Sequence, residues 1–253
     1  MLVNENNKET VLEILYSILY YIRRPEDKQE NIKKMVSSNI IKRVSEISKN
    51  GSEDYLKPIS LIVKYMSSAD IPLINEFFTE DYIKMIKRLL QSKNDRIIDN
   101  TLFGIYNYMT TSVEISKVFT DKFYLNRVQT ICYEYKKVNI IMNCILFFQQ
   151  LLDSQSRYTI ETLIFEYNLI DFLFDALKYG DPSIIKTTLE TIDKLLCICS
   201  VYTIGKDYPV YQFIMDNGYV TVIYELQKSK DESVFNKAKG ILQDHFFEFK
   251  EDE

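Results

Sequence analysis

Four apolar residues at i, i+4, i+7 and i+11 recur along this chain roughly every 43 residues. The pattern reads Val11, Leu15, Ile18, Ile22, then Tyr55, Ile59, Ile62, Met66, then Ile98, Leu102, Ile105, Met109. It returns as Ile141, Ile145, Phe148, Leu152, as Ile185, Leu189, Ile192, Leu196, and finally as Val234, Ala238, Ile241, His245. The first residues of successive sets lie 44, 43, 43, 44 and 49 apart. This spacing gathers four side chains on one face of a three-turn α-helix, the face that must be buried. A repeat of this length cannot bury its apolar faces alone, so neighbouring units must stack into a solenoid.

A second pattern precedes each later copy. Examples are Ile40, Ile41, Val44, Ile47 and Tyr82, Ile83, Ile86, Leu89, followed by Tyr124, Leu125, Val128, Ile131, by Leu169, Ile170, Leu173, Ala176 and by Tyr219, Val220, Ile223, Leu226. Each predicts an amphipathic helix of about ten residues. Short runs before these, such as Asn31–Val36, Ile74–Thr79 and Tyr211–Asp216, predict a first helix of one to three turns. Three helices per unit is the armadillo pattern, whereas HEAT repeats use two. The predicted fold is therefore an all-α, right-handed superhelical armadillo solenoid forming one domain over residues 1–247. It has a partial N-terminal unit (1–25), then units at 26–69, 70–112, 113–155, 156–199 and 200–247, and an acidic tail at 248–253. Connectors such as Asn50-Gly51-Ser52, Lys93-Asn94-Asp95, Gly180-Asp181-Pro182-Ser183 and Lys230-Asp231-Glu232-Ser233 offer side chains that cap the next helix. Pro58 predicts a late start or a kink in its helix, and Thr203–Pro209 a loop.

Composition narrows the function. Six Gly and five Pro in 253 residues are too few for a turn-rich β-fold or for phosphate-binding glycine loops. GxxxxGK[ST], GxGxxG and GxSxG do not occur. A net charge of -5 speaks against a nucleic-acid partner, and the basic pairs Arg23-Arg24, Lys33-Lys34, Lys42-Arg43, Lys87-Arg88 and Lys136-Lys137 read as solvated faces. No run of 18 apolar residues predicts a membrane span, and residues 11–22 read as an amphipathic helix, not a secretory leader. The one histidine, His245, sits in the last apolar slot, which suits packing or end-capping and excludes multi-His metal sites within the chain. Cys132, Cys144, Cys197 and Cys199 read as buried free thiols. Neither a cofactor nor a metal is expected.

From about residue 184 onward the chain resembles the importin-α family of armadillo nuclear-import adaptors. The resemblance rests on Leu189-Glu190-Thr191-Ile192-Asp193-Lys194-Leu195-Leu196, on Tyr208-Pro209 in the long loop, and on Ile214-Met215-Asp216-Asn217-Gly218-Tyr219. Asp231–Ala238 and His245-Phe246-Phe247 are similar to that family's closing helix and tail. The resemblance implies a non-enzymatic adaptor, cytoplasmic and nuclear, that binds a basic nuclear-localisation peptide on its inner helices and meets an export receptor at its last repeats. By length the chain matches the C-terminal half of that family, which implies the minor cargo site without the major one. Only one lysine, Lys8, occurs in the first ten residues, so the family's basic N-terminal segment is not expected.

In that family the inner helices carry Trp-x-x-x-Asn, which implies slots for cargo lysines and clamps for the cargo backbone. Here Trp is absent. The equivalent pairs are Tyr16/Tyr20, Ser60/Lys64, Phe103/Asn107, Leu146/Gln150 and Glu190/Lys194, of which Phe103/Asn107 alone keeps an aromatic and Asn. The expected peptide-binding residues are thus Tyr16, Tyr20, Lys64, Phe103, Asn107, Leu146, Gln150, Glu190 and Lys194, with Asn107 and Gln150 as clamps and Phe103 as a slot wall. Tyr106 and Tyr108 would add aromatic surface, and packing between repeats is the competing role for all these aromatics. Glu13, Glu190 and Asp193 either form a solvated helix face or meet basic cargo. An armadillo scaffold with no transport role is the alternative function, favoured by the missing Trp; an enzyme is a third, without a motif behind it.

Overall fold

The apolar periodicity resolves into helices throughout. A computed structural model describes residues 8–50, 52–154, 156–202 and 210–246. The predicted acidic tail, Phe247 and the loop predicted at 203–209 lie outside the described residues. Among the described residues there is no strand. The fold is all-α and of the armadillo type.

The chain divides into two compact units, Met1–Thr130 and Ile131–Glu253. The first holds α1 (Lys8–Ile22), α2 (Lys28–Ser37), α3 (Ile40–Asn50), α4 (Glu53–Met66), α5 (Ile71–Phe77), α6 (Glu80–Leu90), α7 (Asp95–Thr111) and α8 (Val113–Val118). Helix α9 (Lys122–Glu134) begins in the first unit and ends in the second. The second continues with α10 (Val138–Ser154), α11 (Arg157–Phe165), α12 (Leu169–Leu177), α13 (Pro182–Tyr202), α14 (Val210–Asp216), α15 (Tyr219–Leu226) and α16 (Glu232–His245).

Helices of like kind stack. In the first unit α4 packs between α1 and α7, α3 packs on α6, and α2 on α5. In the second, α13 packs between α10 and α16, with α12 against α13 and α15 against α16. The i, i+4, i+7, i+11 residues form the seam: Ile59, Ile62, Met66, Ile98, Leu102, Ile105 and Met109 are all buried. The face on α1 is turned slightly from the predicted one, since Leu19 is buried and Ile18 only half-buried.

Three of the predicted caps close as expected. Asn94 Oδ1 accepts from the Arg96 N–H at 3.1 Å, Asp181 Oδ1 from Ser183 and Ile184, and Asp231 Oδ1 from Ser233 and Val234. Ser52 precedes α4 without a side-chain cap. Pro58 neither delays nor ends α4, which starts at Glu53; the proline is buried within the helix. Helix α5 stops at Phe77, two residues short of its predicted end, and Thr79 becomes the N-cap residue of α6. The corner between first and second helix often carries a left-handed residue: Asn39 at φ 57°, Asn168 at φ 48° and Gly218 at φ 71°. Asn and Gly are the residues that tolerate this backbone, and it turns the chain within two or three residues.

Candidate functional site

The paired positions predicted from the buried seam fall one residue after its second member and two after its third. On α1 they expose Tyr16 and Tyr20, 51 % and 67 % accessible. On α7 they place Phe103 at the surface and Asn107 beside it, half-buried. On α4, between these helices, only Lys64 reaches the face: Ser60 is fully buried and accepts a 3.4 Å hydrogen bond from Asn100 Nδ2. Tyr108 does not belong to the face either. It lies two residues from Tyr106 and so points to another side of α7, into the core.

Two of the three aromatic rings of this face already hold cations of the chain itself. Lys64 Nζ sits 4.8 Å from the centroid of Phe103, and Arg24 Cζ 4.9 Å from that of Tyr20. Such pairs contribute about 0.5–1 kcal/mol at exposed sites. Nearby, Arg23 and Lys28 both lie over Tyr65, at 5.9 and 5.7 Å. Asn107 Nδ2 donates to Ser67 Oγ at 3.0 Å, which ties α7 to the end of α4. One of its amide protons is thereby engaged, and its carbonyl oxygen still offers an acceptor.

In the second unit the equivalent residues lie on α10 and α13. Leu146 and Gln150 are half-buried, and so are Glu190 and Lys194. Lys194 Nζ reaches Asp153 Oδ2 at 2.8 Å, and Glu190 lies 3.9 Å from Lys186 on its own helix. The Lys194–Asp153 pair repeats the Asn107–Ser67 tie position for position. In each, the second residue of a pair grips the residue three beyond the pair on the preceding third helix. Nothing in the apolar periodicity marks Ser67 or Asp153, which stand three residues past the pairs on α4 and α10. The same offset on α16 gives Lys239 and Gln243, both exposed.

Two expectations near the C-terminus change. Cys197 is exposed, not buried, because it stands two residues from the buried Cys199 and on another side of α13. Asp193 is neither solvated nor open to cargo: Lys237 Nζ donates to its Oδ2 at 2.5 Å, and His245 Nε2 lies 2.8 Å from its Oδ1. Burial raises the Asp193 carboxyl, but the hydrogen bonds from Lys237 and His245 outweigh it and hold the group below the usual carboxylate range.

No protein-family model matches the chain, and no curated protein does. Solved structures do. A computationally designed armadillo repeat protein for modular peptide recognition superposes with a TM-score of 0.79 at 15 % identity, over 96 % of each chain. A designed armadillo repeat protein solved in complex with the peptide (KR)4 gives 0.77 at 14 % identity, over 96 % of this chain and 95 % of that one. A further designed armadillo protein gives 0.76 at 15 % identity, over 96 % of both. At such identities the likeness establishes the armadillo fold.

Proposed function

We propose that this chain is a non-enzymatic adaptor that binds an extended peptide along the exposed face of its third helices. The observation that carries the reading is the set Tyr16, Tyr20, Lys64, Phe103 and Asn107, side by side on α1, α4 and α7. Exposed aromatics are efficient anchors for a peptide side chain. Asn107, fixed by Ser67, presents its amide to a peptide backbone without the entropy of an unrestrained side chain. Within the second unit, Leu146, Gln150, Glu190 and Lys194 would serve the same role on α10 and α13.

In its finer form the cargo is a basic nuclear-localisation peptide, the chain works between cytoplasm and nucleus in protein import, and its last repeats meet an export receptor. Support for that form is the resemblance of residues 184 onward to importin-α. One observation favours a second reading, a scaffold of the same fold without a transport role. Lys64 and Arg24 already sit over the Phe103 and Tyr20 rings, which a basic cargo would use, and Lys64 places a positive charge mid-face.

Titration of the chain with a fluorescent basic localisation peptide and with its charge-reversed acidic counterpart, at low and high salt, tests both. Salt-sensitive binding of the basic peptide supports the import adaptor; preference for the acidic one supports the scaffold. In either case Asn107→Ala is expected to weaken binding by about 1–2 kcal/mol. Unchanged affinity would remove Asn107 from the site, and failure of both peptides to bind at high micromolar concentration would remove the face.

A further inference from the structure

A different group of side chains meets where α13 and α16 pack together. Asp193 and Cys197 stand four residues apart, hence on one face of α13, and His245 closes α16. His245 Nε2 lies 2.8 Å from Asp193 Oδ1 and 3.9 Å from Cys197 Sγ. One ligand atom from each of the three lies within 4.8 Å of the others. The carboxylate and imidazole are sheltered, with 25 % and 15 % of their side chains exposed, while the thiol opens to solvent.

Two chemistries use Asp, His and Cys together, and the geometry separates them. A catalytic triad needs the thiol and the carboxylate on opposite nitrogens of the imidazole, so that one orients the base for the other. Here both converge on the same nitrogen, Nε2. Convergence of nitrogen, sulfur and oxygen on one point is instead what a metal ion asks of its ligands. At zinc bond lengths, tetrahedral ligand atoms stand about 3.4–3.6 Å apart, between the two distances found.

We propose that Asp193, Cys197 and His245 form a three-ligand site for a divalent transition-metal ion of the zinc type, clipping the last repeat to the one before it. The mixed sulfur, nitrogen and oxygen set suits zinc or cobalt and not calcium or magnesium, which take oxygen ligands. A water completes the fourth position. On binding, the Cys197 thiol releases its proton to solvent, and the imidazole carries its N–H on Nδ1 so that the Nε2 lone pair faces the ion. Asp193 ligates through Oδ1 while Lys237 holds Oδ2, the outer partner that fixes the carboxylate's direction. The thiolate and carboxylate together neutralise the dication, and the other charges acting on the thiol are Lys237 and Asp244. The ion's own charge is what displaces that proton.

The test uses the full chain stripped of metal and titrated with Co2+ as a spectroscopic probe, followed by Zn2+. A single equivalent of cobalt should bind with a thiolate-to-metal charge-transfer band that zinc then abolishes. Cys197→Ser, at an exposed position that does not disturb the core, should lose the band and weaken zinc binding by more than about 100-fold, beyond the cost of losing an outer partner. His245→Gln, checked for helix content by circular dichroism, should weaken it as strongly. Cys199→Ser, at the buried cysteine, should leave the band in place. Binding unchanged in either ligand variant, or no charge-transfer band at millimolar cobalt, overturns the site and leaves His245–Asp193–Lys237 as an ionic tie between helices.

Discussion

The Tyr108 hydroxyl donates to the Val63 carbonyl at 3.1 Å and lies 2.7 Å from that of Tyr82, so three helices share one buried polar chain. Phe77 and Phe78 pack their rings against both tyrosines. Burial pushes both phenols above their usual range, so they stay neutral and hydrogen-bonded. With Tyr108 giving its proton to Val63, Tyr82 gives its own to Tyr108. The two residues are therefore unequal. Tyr108→Phe strands the Tyr82 hydroxyl in the core, at a cost of about 1–3 kcal/mol. Tyr82→Phe leaves Tyr108 with its carbonyl and should cost about 0.5–1.5 kcal/mol. The double variant should cost less than the sum, since the stranded group is gone. Urea unfolding of the three variants measures this, and equal single costs with full additivity would refute the chain of donors.

At the scale of the helix, α7 comes so close to α4 that Gly104 has little room for a side chain. A Cβ there would stand 3.0 Å from Val63 Cγ1, itself fully buried. Ala is favoured over Gly inside a helix by about 1 kcal/mol, but overpacking a stiff β-branched neighbour costs about 1–3 kcal/mol. Gly104→Ala should therefore destabilise the chain, and the same change should stabilise it in a Val63→Ala background, which chemical denaturation would show as a reversal of sign. The third helices were legible in the sequence because a period of 3.6 over three turns is written in their apolar residues. What each paired side chain does was not legible. Whether Asn107 clamps a peptide or ties to Ser67, and whether Tyr108 faces outward, depends on the depth at which two helices cross, and depth leaves no trace in the periodicity of one helix. Cys197 and Cys199 make the same point, identical in type and two residues apart, one exposed and one buried.

For the molecule as a whole, contacts between repeats join residues about one period apart along the chain. Asn107 and Ser67 are separated by 40 positions, Lys194 and Asp153 by 41, Lys237 and Asp193 by 44, His245 and Asp193 by 52. Stability in such a chain is a sum of repeat and nearest-neighbour terms, and damage stays near its origin. Ile223 on α15 is fully buried, and Ile223→Ala costs about 2–5 kcal/mol by the measure of similar core truncations. That loss should appear in hydrogen exchange as faster exchange in α14, α15 and α16, with α4 and α7 exchanging as before. Uniform loss of protection in every helix would contradict a nearest-neighbour molecule.

The corner from first to second helix has one further consequence. It takes two or three residues in every repeat, whereas among the described residues the passage from third to first helix takes anywhere from one to five. A corner made by a single left-handed residue has no slack, and an insertion there would swing the second helix off its neighbours. Related chains that have grown or shrunk should therefore differ in length at the third-to-first passages, and those passages are where a new loop could be added without bending the stack.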